Sequence, residues 1–210
     1  MLTLEDHPLL DLVAITTEFP NPISQLETPP EIIGALTLES GSEFEFTDET
    51  KSIVRNLLRH GGYKPTGRGK PASEYLRQAL EKGTLNPINP PVDVCNVVSL
   101  HSGLPISVVD LAQTNGGLRV GIAPEDSTYV FNATGQTIKL DGLLCLFDEE
   151  GPCANGVKDS QRTKTSDSTT ETLSLIWGTN KLEGRAQKAA KWYVELLELF
   201  GAKTKIIDLS

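Results

Sequence analysis

Several groupings in this 210-residue chain have the residue types and spacing to do chemistry. Gly62-Tyr-Lys-Pro-Thr-Gly67 has the G-x-x-x-x-G spacing of a nucleotide phosphate loop. Arg68-Gly69 follows it, so the hydroxyl that would hold magnesium is missing, and a helix rather than a strand is expected before it. Nucleoside triphosphate hydrolysis is excluded. What remains is Lys64, Arg68 and Lys70 just ahead of an expected helix N-terminus, where free N–H groups favour an anion such as a sugar-phosphate backbone. The alternative is a stiff connector between two helices. There is no G-x-S-x-G, and His101-Ser102-Gly103 reads as a helix end. The three cysteines (Cys95, Cys145, Cys153) and three histidines form no CxxC or HxxxH, so no metal site and no Cys/His nucleophile is expected. His7 and His60 read as surface or cap residues. Asp148, Glu149 and Glu150 precede Gly151-Pro152 and read as a solvated turn rather than an acid/base pair.

Charge along the chain is uneven. The net formal charge is −9. Residues 1–50 carry eleven Asp/Glu and no Lys/Arg, whereas residues 51–82 carry eight Lys/Arg against two Glu. The global acidity argues against a general nucleic-acid coat. The local basic block either meets a specific anionic partner or pairs with the acidic N-terminal segment across the fold. No apolar run approaches the roughly 18–20 residues that span a bilayer, and the N-terminus lacks the regions of a secretory signal. A cytoplasmic location suits the sparse, odd cysteines.

The elements that must position these groups are legible from pattern. Residues 9–19 and 32–39 read as strands, joined by a proline-rich connection. Thr47 is a good N-cap for a helix running to His60 and stopping at Gly61-Gly62. On it Lys51, Arg55 and Arg59 recur every four residues and form one surface stripe. Pro71 suits the first turn of a second helix ending near Gly83. TLNPINPP is rigid and extended, and residues 92–103 read as a buried helix in which Asp93 and Asn96 stand in apolar company. From residue 118 the pattern turns to strands: GLRVGIAP, STYVF, QTIKL, LLCLF and ETLSLIWG. Residues 182–201 form an amphipathic helix, and KIIDL (205–209) a last strand. Strands, then helices, then strands and a helix predict an α+β class, with mixed sheets and packed helices in layers.

The block NPINPPVDVCNVVSLHSGLPISVVDL, residues 86–111, is the sharpest in the chain. Ile88-Asn89, Val92-Asp93-Val94-Cys95-Asn96 and Gly103-Leu104-Pro105-Ile106-Ser107-Val108-Val109-Asp110 resemble the B3/B4 domain of the phenylalanyl-tRNA synthetase beta subunit. Gly117 to Val120, Ile138 to Asp148, Gly151-Pro152 and Gly156-Val157 follow the same course. With GGYKPTGRGKPASEYL ahead of it, the chain resembles free-standing members of this family. The resemblance implies a single B3/B4-like domain: N-terminal strands and linker (1–48), the resemblance region (49–177), and a C-terminal helix and strand (178–210).

In the synthetase this domain removes tyrosine wrongly attached to phenylalanine tRNA. The resemblance implies a partner, tRNA or aminoacyl-tRNA, with no DNA, membrane or cofactor. It implies catalytic roles for Asn96 and Ser107, and a substrate pocket with Cys95, Asp159 and Gln161. An activated ester needs only a held carbonyl and a positioned water. Asn96 either hydrogen-bonds the ester or amino group, or serves backbone groups at a helix end. Lys51, Arg55, Arg59, Lys64, Arg68 and Lys70 are the expected RNA-binding edge. The chain departs from the family pattern in three places: Cys95 replaces a threonine, Ser107 replaces a histidine, and Lys158-Asp159-Ser160-Gln161-Arg162 replaces a Gly-Gly-acid loop. Either an aminoacyl-tRNA deacylase or a non-catalytic module binding RNA or an amino-acid ligand follows.

Overall fold

A computed structural model describes residues 2–37 and 43–209. In chain order the elements are β1 (Leu2–Leu4), β2 (Leu10–Glu18), α1 (Pro30–Ala35), α2 (Asp48–Arg59), α3 (Ala72–Glu81), α4 (Pro90–Ser102), β3 (Ile106–Asp110), β4 (Leu118–Ile122), β5 (Thr128–Val130), β6 (Thr137–Lys139), β7 (Leu144–Asp148), β8 (Gly151–Asn155), β9 (Glu171–Thr179), α5 (Arg185–Glu198) and β10 (Lys203–Ile206). Two four-stranded sheets run β1-β4-β7-β8 and β10-β2-β9-β3, with β5 and β6 as a separate hairpin. Among the described residues only the β1–β4 pair is parallel.

Side-chain alternation explains how the layers stack. On one face of the second sheet, Val13, Ile15, Ile106 and Ile176 pack under Val94, Val97 and Val98 of α4 and Ala186, Ala189 and Tyr193 of α5. On the opposite face Ala14, Val109, Leu173, Leu175 and Trp177 meet Val120, Leu144, Leu146 and Ala154 of the first sheet. The order is therefore helices, sheet, sheet. β9 is covered on both sides, so every one of its residues after Glu171 is buried, Thr172 and Ser174 included. Leu57 joins the core between the sheets, while Leu58 packs with Tyr129, Leu143 and Phe147 beneath the hairpin.

Local chemistry sets the helix ends. Thr47 Oγ1 accepts from Thr50 N–H at 3.1 Å and opens α2 with a capping box. Asn89 Oδ1 accepts from Val92 N–H, Pro90 takes the first turn, and Gly103 closes α4 at φ +73°. Asp93 is fully buried, accepting from Ile88 N–H at 2.7 Å and Thr28 Oγ1 at 3.0 Å. It ties the proline-rich approach segment to α4.

Three expectations change. The run IIGALTLE holds most of a helix, α1, in place of a strand. Pro30 at its first turn presets helical φ, Glu31 lies in the first turn, and Ile32 and Ala35 turn inward; Leu38 and Glu39 lie outside the described residues. The last strand begins two residues early, at Lys203, because Lys203–Ile206 pair with Glu18–Ile15. Asp148 is not in a solvated turn: it ends β7 with a fully buried side chain.

The basic connector between α2 and α3 is clamped at both ends. A Cβ on Gly142, at φ +71°, would stand 2.1 Å from Gly61 O, and one on Gly61 would stand 2.3 Å from Gly142 O. Ala72 N–H donates to Gly156 O, and Tyr75 Oη to Gly67 O. Gly142→Ala meets both the backbone conformation and the close approach. It is expected to cost about 2 kcal/mol or more, read as a lower urea midpoint at unchanged m-value.

Candidate functional site at the seam between the sheets

β3 and β8 lie side by side where the two sheets meet, and polar side chains join them. Ser107 on β3 is 1% exposed. Its hydroxyl donates to Asn155 O at 3.0 Å and accepts from Trp177 Nε1 at 2.9 Å. Asn155, at the end of β8, shapes the turn that follows. Its Oδ1 accepts from Val157 and Lys158 N–H at 2.8 and 3.0 Å, and its Nδ2 donates to Tyr129 Oη. Tyr129 Oη in turn donates to Lys158 O. Asp159 closes the turn: Oδ1 accepts from Asn155 N–H at 3.1 Å and Oδ2 from Val108 N–H at 3.3 Å.

Asp159 keeps partial solvent contact as a residue, but dense protein surrounds its carboxyl. Desolvation pushes its pKa up to about 6, against the opposing pull of Ser107, the two backbone N–H groups and Lys164. Cys95 is buried, donates to Ile106 O at 3.3 Å, and is held as a thiol by burial and by Asp159. Burial likewise raises Cys145, and raises Cys153 to about 12. None is a thiolate near neutrality.

Ser107, Cys95 and Asp159 are thus brought to one seam. Asn96 is next to Cys95 on α4, is partly exposed, and its amide makes no hydrogen bond among the described residues. Gln161 is exposed at the start of a 3-10 turn, Gln161–Thr163. Beside it, Arg162 reaches Asp148 with two bonds of 2.7 and 2.8 Å. Burial alone would raise Asp148, yet this fork and the N–H groups of Asn115 and Glu150 hold it below the ordinary carboxylate range. This pairing is why the acid folds inward.

The cations divide between inward and outward roles. Arg55 is committed to Glu74 through a bidentate pair at 2.6 and 2.5 Å. Lys51 pairs with Asp48 at 3.6 Å, and Arg59 bonds Asn56. Lys64 and Arg68 are exposed, and Lys70 is half-buried. Two cations absent from the expected edge stand nearer the seam. Lys158 Nζ lies 4.2 Å from the centroid of the Phe131 ring and 5.5 Å from that of Tyr75. Lys164 Nζ donates to Phe131 O at 2.6 Å. No local motif marks them, since Phe131 reaches them only through the tertiary fold.

Residues 64–189 match the B3/4 domain family, more than half of the chain. The chain belongs to that family. It is 29% identical over 118 residues to the phenylalanine–tRNA ligase beta subunit of Thiobacillus denitrificans, covering 54% of this chain and 15% of that protein. The Nitrosospira multiformis subunit is 35% identical over 86 residues, 39% of this chain and 11% of the relative. The chain therefore spans a small part of the curated relatives it matches. An N-terminal fragment of the phenylalanyl-tRNA synthetase beta subunit from Pyrococcus horikoshii matches at TM-score 0.50 and 11% identity, covering 97% of this chain and 50% of the fragment. At that identity the likeness establishes the B3/4 fold alone. Among the described residues no helix is long and apolar enough to cross a membrane.

Of the three perturbed carboxyls, burial raises Asp93 as it does Asp159, whereas Asp148 is held low, so the two directions give opposite pH dependences. In the unfolded chain an aspartate ionises near 3.9. Asp159 keeps its proton to about pH 6 in the fold, so its contribution is present below about pH 4 and lost as pH rises to about 6. Asp148, held low, contributes above about pH 4 and loses that contribution in more acid solution. Urea midpoints between about pH 4 and 7 should therefore contain a fall with rising pH that Asp159→Asn reduces, the buried Asp93 supplying the remainder.

Proposed function

We propose that this chain hydrolyses the ester of an aminoacylated tRNA in trans, with water as the nucleophile. One observation carries the reading: Asp159, with a pKa of about 6, is fixed in direction by two backbone N–H groups at the seam. Such a carboxylate is ionised near neutrality and still basic enough to take a proton from water. As the water oxygen bonds to the ester carbonyl carbon, Asp159 accepts its proton. The carbonyl–ribose bond then breaks, and the proton returns to the ribose oxygen, leaving a free amino acid and a free hydroxyl on the tRNA. Asn96, whose amide has no protein partner among the described residues, suits a donor to the carbonyl oxygen. Ser107 does not attack, because its hydroxyl already donates to Asn155 O and accepts from Trp177 Nε1, and its role is to hold the seam that carries Asp159. The family resemblance and the similarity to ligase beta subunits support tRNA as the carrier.

A second reading is a module that binds RNA or an amino-acid ligand without turnover. It is favoured by the saturation of Ser107 and Cys95, the two side chains that would otherwise attack. A panel of tRNAs, each charged with a non-cognate amino acid, separates the two. The catalytic reading expects release of at least one amino acid, with a rate that rises through about pH 6. Asp159→Asn should lower that rate by about 10²- to 10⁴-fold and Asn96→Ala by about 10²-fold. No release above the buffer rate from any member, with RNA binding retained, would leave only the second reading.

A further inference from the structure

A cluster of positive charge stands beside the seam. Lys158 comes from the turn after β8, Arg68 from the connector between α2 and α3, and Lys164 from the segment leading to β9. Tyr75 Oη bonds Gly67 O, which brings the Arg68 neighbourhood against the ring that Lys158 approaches. Lys158 and Arg68 have no carboxylate partner among the described residues, and Arg68 lowers the Lys158 pKa beyond the effect of burial. Assembling like charges from separate segments is unfavourable unless an anion offsets it. Lys158 rests over Phe131, a weak contact at a partly exposed site. Its flexible stem lets the ammonium swing off the ring, and the face it leaves is the size of a base.

We propose that Lys158 and Arg68, with Phe131 and Tyr75, form a subsite for one unpaired nucleotide of single-stranded RNA, the cations taking its phosphate and an aromatic ring stacking its base. In the resting state Lys158 covers the ring. On binding it moves to the phosphate, so one step makes the ion pair and exposes the stacking surface. The combination of a cationic track and a ring is what unpaired nucleic acid requires. It rests on the tRNA reading above for its partner but not on hydrolysis.

The test is fluorescence anisotropy of the full chain with a short labelled single-stranded RNA and with a duplex of the same length, over a salt series. Lys158→Gln and Arg68→Gln should each weaken single-strand binding, and the double variant should flatten the slope of log K against log salt by about 0.7, one phosphate's worth. Phe131→Leu should weaken single-strand binding about 5- to 150-fold at unchanged salt slope and leave duplex binding as it was. Thermal melts of each variant check folding, and Lys164→Gln is a second substitution at the cluster's edge. Wild-type affinity and slope in both cation variants would overturn the subsite, as would preference for duplex. RNA binding weakened in the Lys158, Arg68 and Phe131 variants, with no deacylation by the wild type, would uphold the subsite and remove hydrolysis alone. RNA binding insensitive to these variants, with deacylation intact, would remove the subsite alone.

Discussion

The polar seam between β3 and β8 is the constraint on which the rest of the structure depends. Two sheets packed through apolar faces can slide, because burial has no direction. Hydrogen bonds from Trp177 to Ser107, from Ser107 to Asn155 O and from Val108 and Asn155 N–H to Asp159 fix the register of one sheet on the other. Each link lies in or near the interior, where an unmade bond costs about 1–3 kcal/mol. Asn155 then uses both ends of its amide to hold the next turn, so the seam also aims Lys158 and Asp159.

This architecture separates structural polarity from reactive polarity. Ser107, Asn155 and Cys95 are occupied by partners within the protein. Asp159 differs in kind: it is a perturbed carboxyl, held by two backbone N–H groups, in a residue that is itself half-buried. The Asp148–Arg162 pair supports it from the other side by anchoring the segment that carries Lys164. An ion pair, a turn and a seam thus converge on one loop, residues 155–164.

Much of the frame was legible from local signals. Thr47, Gly103 and the apolar runs of β2 and β9 carry their structural meaning in their own neighbourhoods. The run after Pro30 misleads because a short apolar stretch suits either a strand or a buried helix. β8 is hidden behind its Gly-Pro opening. Ser107, Cys95 and Asp159 were visible through family spacing. Lys158, Phe131 and Tyr129 were not, since their relation to the site comes from contacts across more than 25 positions of chain. Arg55 was legible as a surface cation but not as the partner of Glu74, nineteen residues away.

The central claim is that Asp159 is a seam-held carboxyl poised for proton transfer. Carbon NMR of the aspartate side chains, titrated with and without an amide-linked aminoacyl-nucleoside analogue, measures this directly. The expected result is a carboxyl with a midpoint near pH 6, assigned to Asp159 by its loss in Asp159→Asn, whose midpoint moves when the analogue is added. An Asp159 that titrates near 4 and ignores the analogue would contradict it.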